Sequence, residues 1–247
     1  MIDLRKNKKQ IIEAIFFRPS WYSIFLNPYF ISRRALYCQI RKFSRVVPHN
    51  SKILDVGCGN KPYKNLFLSS SYQGIDIEGG GHTDQEKTVD KFFDGVHIPF
   101  PDNQFEVILC TQVLEHTPEP AKLLNEMART LKTDGQVFIT TPFVWNEHEI
   151  PYDFYRFTRY GLEQLLTQNG LEISSLTQTT GIFGVLGQIF SAFVFESLAF
   201  RNTILKITLS IFILGPIQII SLFLDWLTNK RWLTLDYVII ATKQHEK

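Results

Sequence analysis

The stretch Ile53 to Tyr63, I-L-D-V-G-C-G-N-K-P-Y, sets two glycines one residue apart directly after a run of strand-forming residues. Glycine at such a turn lets backbone come close to a bound ligand. A dinucleotide turn carries a third glycine and rests a pyrophosphate on a helix N-terminus. Here the third place holds Pro62, which suits a first helical position but donates no N–H, so phosphate would be gripped poorly. Asp76 stands 19 residues after Gly57, at the end of Y-Q-G-I-D-I, where a carboxylate can accept hydrogen bonds from both ribose hydroxyls. The ligand that fits is a nucleoside without a pyrophosphate.

Two histidines stand where strands should end. His116 closes V-L-E-H after a fourth strand-like run, and His148 follows a fifth in H-E-I-P-Y-D-F-Y-R-F-T. An imidazole at such a place is a candidate general base for an oxygen acceptor. Around His148 the chain gathers Asp153 and Arg156 with several aromatic residues, which is the mixture of an active-site wall: flat faces for a sugar or ring, polar groups for orientation. The same residues also suit loop packing, with Arg156 pairing Asp153 and doing nothing else.

The elements that must hold these groups are legible from their periodicity. Residues 28–47, with Phe30, Leu36, Ile40, Phe43 and Val47 at helical spacing, form an amphipathic helix ended by Pro48 and Asn50. Strand-like and helical runs then alternate: Lys52–Val56, a helix from Pro62, Tyr72–Ile77, a short strand near Lys87–Lys91, Phe105–Thr111, a helix Glu119–Leu131 and Gln136–Thr141. A further helix covers 159–169 with Thr158 as N-cap and Gly170 past its end, before the strand-like Leu171–Gln178. This alternation predicts an α/β fold with a mostly parallel sheet and helices on both faces. After Gly181 the pattern breaks into a hydrophobic helical insertion that lasts to Trp232, followed by a last strand at Tyr237–Thr242. The expected organisation is an arm at 1–50, a core at 51–180 and 233–247, and the insertion at 181–232.

The net charge of +2 conceals an asymmetry. Residues 1–52 carry eleven Lys/Arg, Arg5, Lys6, Lys8 and Lys9 among them, against two Asp/Glu; the remainder is acidic. A basic arm meets an anionic membrane, nucleic acid or an acidic substrate, or is a solvated helix. Cys38, Cys58 and Cys110 are odd in number and lack metal-ligand spacing, which argues against a disulfide framework or a zinc site and for a reducing cytoplasm. The apolar run after the first basic residues is interrupted by Glu13 and Arg18 and has no A-x-A-like site, so a cleaved signal peptide is not expected. Ile207–Leu224 is uncharged for 18 residues, at the lower edge of membrane-spanning length. A two-span hairpin would put Arg201 and Lys206 in its far loop, against the positive-inside rule, and Gly215-Pro216 interrupts the second segment. An in-plane or re-entrant helical pair on an anionic membrane surface is therefore expected, the alternatives being a lid or a dimer interface.

From Lys52 to Gln178 the motifs D-V-G-C-G, G-I-D, D-G-V-H-I-P-F-P-D-N-Q-F-E-V-I, V-L-E-H-T-P-E-P and L-K-T-D-G-Q occur in order. In this the chain resembles the class I S-adenosylmethionine-dependent methyltransferases. The resemblance implies a Rossmann-like seven-stranded sheet with an antiparallel last strand and S-adenosylmethionine as cofactor. It places Asp55, Gly57 and Gly59 around the methionine moiety, Asp76 at the ribose, Asp94 and Gly95 at the adenine, and Gln112 near the methyl-bearing end. Some related oxygen methyltransferases bind a divalent ion through groups equivalent to Gln112, Glu115 and His116. This chain has glutamine in place of their carboxylate, so no metal is expected. Asn60-Lys61-Pro62 and Glu106, in place of the aspartate of F-D-x-V, depart from the commonest pattern. G-C-G-N-K-P-Y with P-F-V-W-N-E-H-E-I-P-Y-D-F-Y-R-F-T resembles a branch associated with cell-surface polysaccharide pathways, which implies a glycan or lipid-linked acceptor.

The expected reaction is methyl transfer to a small or lipid-linked acceptor at a hydroxyl, with His148, Asp153 and His116 as catalytic candidates. A nicotinamide-dependent dehydrogenase and a non-catalytic S-adenosylmethionine-binding scaffold are the alternatives. Nucleic acid is not the expected acceptor, and the sequence leaves the oligomeric state open.

Overall fold

The computed structural model describes residues 14–79, 87–197 and 203–244. Arg5, Lys6, Lys8, Lys9 and Glu13 of the arm, and Arg201 of the insertion, lie outside the described residues. Among the described residues the chain forms two compact units. One runs to Gln39 and resumes from Gln178 to Asp236; the other is Ile40–Thr177 and begins again at Tyr237.

The second unit carries the sheet. Its strands are β1 (Lys52–Val56), β2 (Ser71–Ile77), β3 (Lys91–Phe93), β4 (Phe105–Thr111), β5 (Leu131–Pro142), β6 (Leu171–Gln178) and β7 (Asp236–Lys243). They lie in the order β3-β2-β1-β4-β5-β7-β6, a Rossmann-like α/β arrangement. β1 pairs in parallel with β2 and β4, β2 with β3, and β4 with β5. The central strands are buried along most of their length, which is why I-L-D-V and V-I-L-C read as continuous apolar runs rather than alternating ones. Phe105, Phe138, Leu54, Ile75, Ile108 and Leu109 are almost fully buried. Burying each such side chain stabilises the fold by about 1.5–3 kcal/mol.

Helix α1 (Phe30–Ser44) begins in the first unit and ends in the second, where the Phe43 ring lies 4.9 Å from that of Phe138. α2 (Pro120–Thr130) has proline in its first turn and presents Leu123, Leu124 and Met127 to the core. α3 (Arg159–Gln168) is capped as its sequence predicts: the Gly161 amide donates to Thr158 Oγ1 at 3.1 Å, and Gly170 takes a left-handed φ of +76° beyond the end.

Three sequence expectations are corrected. The helix expected from Pro62 is a single 3-10 turn, Lys64–Leu66. Lys61 adopts a left-handed φ of +53° and its ammonium is drawn to Asp90 at 2.6 Å, so the backbone there does not enter a helix. Gln112, Glu115 and His116, whose i, i+3 and i+4 spacing in the sequence predicts one shared helical face, do not share one. Gln112 has a φ of +57°, outside the helical region, and only Leu114–His116 forms a 3-10 turn. The short strand expected near Lys87–Lys91 starts at Lys91.

In the first unit a 3-10 turn, Trp21–Phe25, and the start of α1 accompany α4 (Ile182–Ser197), α5 (Thr203–Leu209) and α6 (Gly215–Thr228). A π-turn, Ser210–Leu214, joins α5 to α6. Pro216 lies two residues beyond its end, and the wider turn accommodates a residue that cannot donate a helical hydrogen bond. The arm and the insertion, expected as separate segments, thus contribute to one unit.

Candidate active site

The strand order runs outward from a central reversal: β2 and β3 lie beyond β1, while β5 lies beyond β4. At such a reversal the connections leave in opposite directions and open a crevice outside the carboxyl ends of the strands. Gly57 and Gly59 follow β1, Asp76 ends β2, Asp94 and Gly95 follow β3, Gln112 and His116 follow β4, and His148 follows β5. The sheet therefore delivers all the sequence-predicted site residues to the same end of its strands.

Asp76 is buried and already oriented. Its Oδ2 accepts the Gly59 amide at 2.8 Å, its Oδ1 accepts the Ile77 amide at 2.8 Å, and the Lys87 ammonium lies 3.4 Å from Oδ1. Lys87 also donates to the carbonyls of Ile77 and Gly79, at 2.7 and 2.5 Å. Gly59 has a φ of +47°, and a side chain added there would meet no atom within 4 Å. Open space thus faces a strained backbone beside an aligned carboxylate. Gly57, by contrast, has φ +67°, and an added Cβ would meet Val113 at 2.4 Å, so packing alone demands glycine there.

Asp55 is almost fully buried and accepts the Tyr72 hydroxyl at 2.6 Å. Burial pushes its carboxyl up to about 7, opposed by the tyrosine hydrogen bond and reinforced by the charge of Asp76. Asp94 stands in the opposite condition. It is exposed, its Oδ1 accepts the amides of Val96 and His97, and its Oδ2 lies 2.7 Å from His97 Nδ1. The His97 contact, with the two amides, holds its carboxyl at about 2. Both its oxygens serve their own loop. Gly95 carries a φ of +88° in the same turn. Gln112 is fixed twice to β5: its amide donates to the Thr140 carbonyl at 2.9 Å and its Nε2 to Thr140 Oγ1 at 3.1 Å.

The structure brings His116 and His148 together. Their ring centroids are 4.7 Å apart with planes at 77°. His116 Nδ1 lies 2.9 Å from the Tyr152 carbonyl oxygen, which can only accept, so Nδ1 donates. His148 Nδ1 lies 3.1 Å from Asp153 Oδ2 and 3.3 Å from the Asn146 carbonyl, both acceptors again. Burial, then the neighbouring His116, lowers the His148 pKa and favours the neutral ring. Asp153 itself is held by the Arg156 fork, at 2.6 and 2.7 Å, and by the His148 amide at 3.0 Å. Burial works against ionisation of Asp153, but the Arg156 fork and the amide outweigh it and hold the carboxyl at about 2. Arg156 therefore acts on His148 through Asp153. The ligand-capable atoms of Glu115, His116 and His148 all lie within 4.8 Å of one another.

Several participants were not legible in the sequence. Tyr72 on Asp55, Lys87 on Asp76 and Asp90 on Lys61 are long-range partners with no local signal. The departure at Glu106 also finds its reason: the side chain accepts the Lys52 amide at 2.6 Å and pairs with Lys132, tying the start of β1 to β4 and β5.

With this geometry in view, a family model described as methyltransferase domain matches residues 29–176. The chain belongs to the class I S-adenosylmethionine-dependent methyltransferase family. This methyltransferase is 32% identical over 125 residues to a tRNA U34 carboxymethyltransferase of Nautilia profundicola, covering 44% of this chain and 41% of that one. It is 30% identical over 110 residues to a ubiquinone biosynthesis O-methyltransferase of Pasteurella multocida, covering 36% and 46%. The chain spans less than half the length of these curated relatives. Among solved structures it resembles the [4+2]-cyclase SpnF, with a TM-score of 0.56, 18% identity and coverage of 84% and 82%. It also resembles a SAM-dependent methyltransferase of Methanosarcina mazei, with a TM-score of 0.50, 18% identity and coverage of 83% and 98%. These last likenesses concern the fold. The donor set meets the family's cofactor on its own terms: a left-handed glycine facing open space, an aligned carboxylate beside it, and proline in place of the third glycine of a phosphate-cradling turn.

Proposed function

We propose that this chain transfers a methyl group from S-adenosylmethionine to a hydroxyl of a small or lipid-linked acceptor, with His148 as general base. The observation that carries the reading is the Arg156–Asp153–His148 chain of contacts. It fixes the proton on Nδ1 and leaves Nε2 to take a proton from an acceptor, while burial and the neighbouring His116 favour the neutral ring against the pull of Asp153. In this reading Asp76 holds the ribose, Asp55, Gly57 and Gly59 surround the methionine moiety, Asp94 and Gly95 meet the adenine end, and Gln112 stands at the edge near the reacting carbon. When bound, the cofactor supplies an activated methyl on a positively charged sulfur. The protein's part is then to orient the acceptor and remove its proton. His116, whose ring meets that of His148, fixes the wall of the pocket or shares the base's role.

The names of the ubiquinone-pathway relatives favour an oxygen acceptor, and that of the tRNA relative keeps nucleic acid as an outcome to be tested. The glycan acceptor rests on the motif resemblance alone. Three free cysteines, two of them buried, support a reducing cytoplasm. The test is mass-spectrometric detection of methylated product when the protein and S-adenosylmethionine meet phenolic, sugar, polyprenyl-linked and tRNA acceptors. Loss of product in His148→Ala with cofactor binding intact supports the reading. Cofactor binding without product on any acceptor would favour a scaffold, and NADH binding a dehydrogenase.

A second reading has its own observation. Glu115, His116 and His148 bring a carboxylate oxygen and two ring nitrogens into one small volume, and each histidine's Nδ1 lies beside an acceptor, as in histidines that ligate metals. A divalent ion there would itself lower the pKa of the acceptor hydroxyl. Chelator treatment separates the two: activity survives if His148 is the base and is lost, then restored by added ion, if the trio holds a metal.

A further inference from the structure

In the first unit, α4 and α6 bury mainly small and amide side chains and turn large apolar ones outward. On α4 the buried positions are Gly184, Val185, Gly187, Gln188, Ser191 and Ala192, while Leu186, Phe190 and Phe193 are 58%, 48% and 65% exposed. On α6 the buried positions are Gly215, Gln218 and Ser221, while Ile220, Phe223 and Trp226 are 58%, 55% and 74% exposed. Thr203–Thr228 forms 26 helical residues, and only 28% of its most apolar stretch is buried. Water selects the opposite arrangement.

The interior of this unit is built as helices pack in lipid. A Cβ on Gly187 would stand 2.1 Å from Ser221 Oγ, so α4 and α6 approach almost to backbone contact through small residues. Gln188 donates to the Pro28 carbonyl at 2.9 Å and accepts the Ser32 amide at 3.0 Å; Gln218 donates to the carbonyls of Ile24 and Asn27 at 3.2 Å. Side-chain amides thus join the helices where apolar contact would serve in a soluble core. Asp225 closes the pair by accepting the amides of Gly181 and Phe183 at the start of α4, at 2.7 and 3.0 Å. Between the two helices runs an open apolar groove of about 540 Å³ lined by Leu186, Phe190, Phe193 and Ile217, wide enough for an acyl chain.

We propose that this outward face of α4, α5 and α6 enters the outer part of one leaflet of an anionic membrane. Charge selects lipid over a second copy. The described part of the unit carries six Lys/Arg against three Asp/Glu. Of those acids Asp225 caps α4, Asp236 is buried and Glu196 accepts the Tyr29 hydroxyl. Trp226 and Trp232 stand exposed on either side of Lys230 and Arg231, the combination that settles at a lipid headgroup boundary. Geometry selects one leaflet over a crossing. α4 has 16 residues, about 24 Å at 1.5 Å per residue, against a hydrocarbon core of about 30 Å. β6 and β7, which flank the segment, are neighbours in one sheet, so both its ends lie on the same side. The proposal does not depend on which reaction the other unit performs.

The experiment is flotation of the full chain with phosphatidylcholine vesicles, with and without phosphatidylglycerol. The protein is expected to float with the anionic vesicles. Phe190→Asp with Phe223→Asp should lower the bound fraction about tenfold or more while circular dichroism and the unfolding midpoint stay as in the parent. Phe223→Ser is the milder variant if that pair fails to fold. A variant keeping Trp226 as its one tryptophan should be quenched by lipids brominated near the headgroup more than by those brominated near the bilayer centre. Protein that stays at the bottom with anionic vesicles overturns the proposal. So does unchanged flotation of the folded variants, or strongest quenching at the bilayer centre. A soluble dimer abolished by the same substitutions would assign the face to a second copy instead.

Discussion

Asp76 and Asp55 are both buried carboxylates at the ends of adjacent strands, yet their surroundings give them different properties. Asp76 has two amides and the Lys87 ammonium around it, so its oxygens are held in place as acceptors. Asp76→Ala is expected to weaken S-adenosylmethionine binding by about 1–3 kcal/mol in calorimetry, from loss of charged hydrogen bonds. Unchanged affinity would remove Asp76 from the site. Asp55 has burial and a like charge, which raise its pKa to about 7 from 3.8. The folded state therefore keeps a proton that the unfolded chain releases. Its contribution to stability is full below about pH 4 and is lost as pH rises through about 7. Urea unfolding of the cofactor-free protein should show this decline, and Asp55→Asn should flatten it. A cationic amine beside Asp55 reverses the balance, so cofactor affinity should rise with pH across the same window in the parent and not in Asp55→Asn. For His148, replacement by alanine is expected to lower turnover roughly 10²-fold with cofactor affinity retained. Normal turnover on the true acceptor would return His148 to a packing role.

At the scale of elements, the turn after β1 is held by a long-range pair rather than by a helix. Lys61 crosses over Gly74 of β2 to reach Asp90, which also accepts the Gly74 amide at 2.7 Å. A Cβ on Gly74 would stand 2.3 Å from the Lys61 side chain and 2.7 Å from Cys58 Sγ. Gly74→Ala is therefore expected to destabilise by about 1–3 kcal/mol through overpacking, measured by chemical denaturation. It should also weaken cofactor binding, because the Gly57–Gly59 turn rests on the same strand: the amides of Gly57 and Cys58 both donate to the Ile75 carbonyl, at 2.9 and 3.0 Å. An alanine variant with parental stability and affinity would show that Lys61 is free to move aside. The strand and helix pattern around this turn was readable because apolar periodicity is a local property. β1, β4 and β6 match their expected bounds, and Thr158 caps α3 as its position predicts. The turn itself was misread as a helix because Pro62 suits a first helical position, whereas the ammonium–carboxylate pair that redirects Lys61 spans 29 residues.

The whole molecule combines a nucleoside-binding sheet with a unit whose surface is apolar and basic. Binding of S-adenosylmethionine to the folded state alone should raise its stability by about 2.7 kcal/mol at a hundredfold excess over Kd. Differential scanning calorimetry should register this as a raised unfolding midpoint, retained in His148→Ala and reduced in Asp76→Ala. Equal shifts in both variants would mean that Asp76 does not hold the cofactor.

Sequence by itself determined the class of fold and the family. The order of apolar runs dictates a parallel sheet, and D-V-G-C-G, G-I-D and V-L-E-H lie within a few residues of strand ends that any such sheet gathers at one edge. It also marked the insertion as apolar, since composition is blind to folding. Tertiary structure alone decided what each polar group does. Asp94 spends both oxygens on its own loop, Glu106 on the start of β1, and His116 meets His148 across 32 residues of chain. Likewise, that Gln188 and Gln218 point inward while Phe190 and Phe223 point outward could not be read from composition. The physical reason is the same throughout. Periodicity and turn chemistry act over a few residues, whereas pKa values, ion pairs and the sidedness of a helix depend on neighbours that only the folded chain supplies.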